Sequence, residues 1–147
     1  MNDAEIQQII ERLNCVCECR QQILASGNIA PQGAWIHTYV IYRKFSETFT
    51  GEYCYAKWQS KEAIFKRSSR PKKKRPLKAG KNPEYTNHQH IGRVWSNTGL
   101  GMEKEVEEAY EAWENRLTLE AIDKALSETR QILDLVKPNQ PQVSACN

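Results

Sequence analysis

The chain reads as an α+β protein: two long helices, antiparallel and coiled-coil-like, flanking a three-stranded antiparallel sheet with a basic loop. Three observations predict this. Apolar residues recur at three- and four-residue steps near both ends of the sequence. Between them the period falls to two, in stretches rich in aromatic and β-branched residues. One run in the middle, residues 66–81, holds nine Lys or Arg among 16 residues and no acid. A length of 147 residues suits a single domain with a modest core.

The first helix is expected over residues 3–26. Ile6, Ile9, Leu13, Val16 and Ile23 make its stripe, Ile10 and Leu24 widen it, and Arg20 interrupts it. Gly27 stops it, because glycine accepts the left-handed conformation of a helix end. The sheet module spans residues 34–95. Its first strand, residues 35–45, alternates Trp35, His37, Tyr39, Ile41, Arg43 and Phe45 against Ile36, Thr38, Val40, Tyr42 and Lys44. A turn through residues 46–51 leads to a second strand, residues 52–59, and the two form a hairpin. On that strand Tyr53, Tyr55 and Lys57 share one face, and Cys54, Ala56 and Trp58 the other. Residues 85–95 supply the third strand, and residues 96–101 are a turn-rich link.

The second helix is expected over residues 103–136, with a stripe through Val106, Tyr110, Trp113, Leu117, Ala121, Leu126, Ile132 and Val136. Glu103, Glu105, Glu107 and Glu108 stand at its start, where the helix dipole favours negative charge. Pro138 and Pro141 end it, and residues 138–147 read as a disordered tail. Neither helix can bury its stripe alone. Pairing the two, or pairing copies in a homodimer, covers both stripes. Trp113 and Leu117 would then face Leu13 or Val16. Trp35, Trp58 and Trp113 are expected in the core, since aromatic side chains dominate small cores.

The net charge of +3 conceals a segregation. Residues 57–93 carry twelve Lys or Arg against Glu62 and Glu84; residues 102–136 carry ten Asp or Glu against Lys104, Arg116, Lys124 and Arg130. In the run 66–81, like charges repel and Pro71 and Pro76 exclude a helix, so a solvated loop is expected. Its cations are Lys66, Arg67, Arg70, Lys72, Lys73, Lys74, Arg75, Lys78 and Lys81. A flexible polycation calls for a polyanion, and nucleic acid is the commonest in a cell. Residues 71–76 also match the pattern of a nuclear localisation signal.

Other chemistries find little support. No apolar stretch is long enough to span a membrane, and the acidic, polar N-terminus is unlike a signal peptide. Five cysteines without a disulfide framework suggest a reducing compartment. Cys15, Cys17 and Cys19 fall on a helix, where i and i+4 face together but i+2 points away, so the three cannot clasp one ion. They read as small buried hydrophobes. No phosphate loop, glycine-rich nucleotide turn or nucleophile elbow occurs. Hence no metal, no cofactor and no enzymatic activity are expected.

The run 51–58, GEYCYAKW, followed by HQHIGR at 88–93, resembles a recurrent strand pair in small proteins of plasmids, phages and transposons. It is similar to the three-stranded sheet with which the arm-type domains of tyrosine recombinases enter DNA. The resemblance covers residues 34–94. It implies DNA contact by strand residues and by the basic turn, and by position it points to Tyr53, Tyr55, Lys57 and Arg93. The long basic insertion departs from that pattern, and no recombinase catalytic domain is present.

The sequence therefore leads to a non-enzymatic nucleic-acid-binding accessory protein of a mobile genetic element or its host, with DNA preferred over RNA. Such a protein would be cytoplasmic and nucleoid-associated, or nuclear in a eukaryote. The alternative is an adaptor that docks on a larger nucleoprotein complex through its acidic C-terminal helix.

Overall fold

The computed structural model describes residues 1–67, 79–81 and 84–136. Helix α1 spans Asp3–Ser26. Its first turn is closed by a reciprocal capping box: the Asn2 carboxamide oxygen accepts from the Glu5 amide at 2.9 Å, and the Glu5 carboxylate accepts from the Asn2 amide at 2.8 Å. Gly27, at φ 68°, ends it. Five strands follow: β1 Trp35–Lys44, β2 Thr50–Gln59, β3 Phe65–Lys66, β4 Tyr85–Thr86 and β5 His88–Ser96. Helix α2 spans Lys104–Leu135. The fold is thus α+β, with N- and C-terminal helices around a three-stranded antiparallel sheet in the order β1-β2-β5.

The described chain divides into two units. Gly27–Arg116 forms one. Residues 1–26 and the part of α2 from Leu117 onward form the other.

In the sheet unit, Ile36, Ala56, Val106 and Ala109 are the buried centre. Trp58, Ile91, Val94, Tyr110 and Trp113 pack around them. The first half of α2 therefore covers the sheet face that carries Ile36, Ala56 and Trp58. Two register shifts in β5 leave Ile91 and Val94 unmatched on β2, and both of these bulged residues turn into the core. Glu103 ties the start of α2 to β5: its amide donates to the Arg93 carbonyl at 2.9 Å, and its carboxylate accepts from the Arg93 amide at 3.1 Å. A Cβ at residue 92 would collide with that carboxylate, the far end of a flexible side chain, which would have to move aside to admit it. The connection after α1 is strapped to the same helix. The Ala30 amide donates to the Ala112 carbonyl at 3.0 Å, and Arg116 Nε donates to the Ala30 carbonyl at 2.7 Å.

Strands β3 and β4 are additions to the expected sheet. They pair as a short antiparallel ribbon, with Phe65 opposite Thr86 and Lys66 opposite Tyr85. The Ser60 amide donates to the Asn87 carbonyl at 2.9 Å, joining the end of the β2–β5 pair to the start of the ribbon. Buried Phe65 anchors it.

In the helical unit only Ile23 and Leu119 are buried among the described residues. Arg20 Nε donates to Asp123 Oδ1 at 2.7 Å. Several expectations are corrected here. Trp113 packs on the sheet core, in the unit that holds the first half of α2. Leu117 is exposed, and the buried positions along α2 are Val106, Ala109, Ala112 and Leu119. On the sheet-covering part of α2, Ala109 and Ala112 are buried with Val106, each alanine one position before Tyr110 or Trp113 of the expected stripe, which pack against the same core. Cys15, Cys17 and Cys19 are exposed thiols; Cys54 on β2 is the buried one, and burial pushes its thiol pKa up. No described helix is long and apolar enough to cross a membrane.

Candidate nucleic-acid interface

Antiparallel pairing places Tyr39 opposite Tyr55, Ile41 opposite Tyr53, His37 opposite Lys57 and Arg43 opposite Gly51. Side chains alternate across a strand. Since Ala56 and Trp58 face α2, Tyr53, Tyr55 and Lys57 face away from it, and their partners on β1 join them on one open sheet face.

The rings on this face form a ladder. Tyr53 and Tyr55 lie with centroids 6.3 Å apart and planes within 13°. Tyr55 meets Tyr39 at 6.0 Å and His90 of β5 at 5.7 Å. In the other direction Tyr53 meets Phe45 at 6.5 Å, and Phe45 stacks on Phe49 at 6.1 Å across the β1–β2 turn. That turn is closed by the Phe45 amide donating to the Phe49 carbonyl at 3.1 Å, which brings the two rings together. Gly51 makes room for this arrangement, because a Cβ there would stand 2.5 Å from the Phe45 ring and 2.9 Å from the Tyr53 ring.

Two cations are seated among the rings. The Arg43 guanidinium carbon lies 5.5 Å from the Tyr53 centroid, and Lys57 Nζ lies 5.4 Å from that of Tyr39. None of the residues the register assigns to this face on β1 and β2 is acidic. At the ribbon end, the His88 pKa is lowered, first by desolvation and then by the charges of Lys57, Arg67 and Lys81. The strand lysine and two cations at the base of the basic run therefore share one positive neighbourhood. Lys66 lies on β3, in the ribbon itself.

Of the residues expected from sequence, the structure brings Tyr53, Tyr55 and Lys57 together, with Lys66, Arg67 and Lys81 beyond them. Arg93 stands opposite Tyr55 on β5, with its guanidinium engaged: its Nε donates to the Gly101 carbonyl at 3.2 Å, and the group lies 3.4 Å from the Glu103 carboxylate. Arg70, Lys72, Lys73, Lys74, Arg75 and Lys78 lie outside the described residues, as does the expected tail 138–147. Tyr39, Arg43, Phe45, Phe49 and His90 join the face without having been singled out for binding. The first three stood on one side of the alternating first strand, and the strand register would have paired them with Tyr53 and Tyr55.

The helix side of the sheet differs in charge. A groove of about 380 Å³ there is lined by Trp58, Ile91, Glu105 and Glu108, among others. Its carboxylates make it unsuited to a phosphate chain. Among the described residues no group of three His, Cys, Asp or Glu side chains could hold a metal ion. No protein-family model, curated protein or solved structure matches the chain.

Proposed function

We propose that this protein is a non-enzymatic nucleic-acid-binding accessory factor, of a mobile genetic element or its host, that neutralises phosphates through the run 66–81 and the sheet face beside it. The observation that supports the reading is the open face itself: three tyrosines with Arg43 and Lys57, leading into a ribbon that carries Lys66. Cations attract the phosphate chain and exposed rings offer contact to bases and sugars. The factor acts in the cytoplasm on the nucleoid, or in the nucleus of a eukaryote.

Binding should weaken steeply with salt, because each neutralised phosphate releases counterions. Replacing Lys72, Lys73, Lys74 and Arg75 with Ala should flatten the slope of log affinity against log salt by roughly three to four. The circular dichroism should not change. An unaltered slope removes the basic run from the mechanism.

The second reading, docking on a larger complex through α2, has the exposed Glu107, Glu111 and Glu114 in its favour. Their replacement by Gln leaves nucleic-acid affinity unchanged or slightly higher under the first reading and abolishes protein association under the second. We also infer that α1 and the distal half of α2 pair antiparallel as a coiled coil, a pairing that the Arg20–Asp123 ion pair supports.

A further inference from the structure

The ring ladder differs from what a face built only to sit on phosphates requires. Phosphate contact needs cations and hydrogen-bond donors. This face instead carries a row of ring contacts from Phe49 through Phe45 and Tyr53 to Tyr55, which branches there to Tyr39 on one side and His90 on the other, each contact 5.7–6.5 Å. The rings are not core residues. Phe45 is 59% exposed, Phe49 43% exposed and His90 exposed, while the three tyrosines are half-buried on the side of the sheet away from α2.

Resting on the reading above, we infer that the occupant of this face is a single strand of nucleic acid whose unpaired bases stack on the ring ladder. The argument is one of accessibility. In a duplex the flat faces of the bases are already covered by their neighbours, and only the edges are offered in the grooves. Edge readout is the work of Arg, Lys, Asn and Gln placed at the centre of the contact. Here the central positions are Tyr39, Tyr53 and Tyr55. The two cations flank them, each already seated over a ring. A ring can serve only a base whose flat face is free, and that base belongs to an unpaired strand. The spacing of about 6 Å is roughly twice the 3.4 Å rise of stacked bases, as suits a strand whose neighbouring bases have been drawn apart. Charge complements this geometry. Arg43 stands near the turn end of the ladder and Lys57 near the ribbon end, and the residues this face draws from β1 and β2 include no carboxylate to repel the backbone. The chemistry is the same for DNA and RNA, so the sugar is for experiment to assign.

The test compares four oligonucleotides of one length on the wild-type protein at one salt concentration: oligothymidylate, oligouridylate, an abasic strand with the same phosphates, and a duplex. Oligothymidylate or oligouridylate should bind at least about tenfold more tightly than the abasic strand and the duplex, since base–ring stacking alone gives roughly five- to hundredfold per base. A preference between those two strands that persists when the deoxy strand carries uracil in place of thymine assigns the sugar. The Tyr53→Ser and Tyr55→Ser double variant should fall to the abasic level with the salt slope unchanged, and the matching Phe variants should keep the base-dependent part. Duplex affinity equal to or above that of the single strands overturns the inference and leaves the phosphate-binding role standing. Equal affinity for abasic and normal strands does the same. Absence of binding to all four at low salt overturns both. The wild-type comparison decides the matter even where a tyrosine variant fails to fold.

Discussion

The two units draw on the same kind of apolar periodicity and end very differently. The sheet unit buries Ile36, Cys54, Ala56, Phe65, Val106, Ala109 and Ala112; in the helical unit, only Ile23 and Leu119 are buried among the described residues. Along α1 the stripe residues Ile6, Leu13 and Val16 remain 44%, 44% and 38% exposed. A helix stripe is a request for a partner, and a helix gains little stability without one. The sheet unit meets that request within itself, because three strands in register offer a broad apolar face for α2. The helical unit meets it at one end only, near Ile23 and Leu119. Its stability therefore rests on weak local terms, and opening it should cost far less than unfolding the sheet.

A charge placed in each unit should expose this contrast most sharply. Val106→Asp puts an unpaired carboxylate where Val106 is fully buried, and should destabilise the sheet unit by more than about 4 kcal/mol. Val16→Asp, on the exposed stripe, should cost less than about 1 kcal/mol. Denaturant unfolding measures both, followed by near-ultraviolet circular dichroism for the sheet unit, which holds every aromatic residue, and by far-ultraviolet circular dichroism for the helical unit. Comparable costs would break the contrast and mean that α1 is covered in solution.

A medium effect lies at the join of β5 and α2. Gly92→Ala forces the Glu103 carboxylate aside, so the hydrogen bond to the Arg93 amide and the ion pair with its guanidinium are lost together. The expected cost is about 1.5–3 kcal/mol, the worth of a hydrogen bond to a charged group. Adding Glu103→Ala to Gly92→Ala should cost little more, because the carboxylate has already been displaced. Full additivity would place the cost of the added methyl elsewhere.

The helices and the long strands were legible because their signals are local: periodicity and a glycine stop for α1, alternation for β1 and β2. The fold class needed nothing more. What stayed hidden depends on pairing between distant residues. Trp113 looked like part of a helix–helix seam, since a stripe reveals that it will be covered but not by what. The alanines Ala109 and Ala112 gave no signal, though both are buried on α2. Arg93 looked free in sequence, and its engagement by Glu103 and the Gly101 carbonyl depends on the chain folding back after β5. In the candidate interface, Tyr53, Tyr55 and Lys57 were visible from alternation alone. Tyr39, Arg43, Phe45 and Phe49 required the hairpin register, and His90 required a third strand interrupted by two bulges. The ribbon β3–β4 was invisible, as strands of two residues carry no period.

The smallest expected effect is the most informative about the helical unit. Arg20 and Asp123 form an ion pair at 2.7 Å with side chains 37% and 53% exposed. At that exposure solvent screens the attraction and both side chains lose rotamer freedom to make it. A double-mutant cycle with Arg20→Gln and Asp123→Asn should therefore return a coupling of only about 0.2–1 kcal/mol. The value should not depend on protein concentration if the unit stands alone. A coupling well above 1 kcal/mol would mean that the pair is shielded from water, and hence that another surface lies over the exposed seam of α1. Growth of that coupling with protein concentration would identify the surface as a second copy of the chain, because only self-association makes an intramolecular pair respond to concentration.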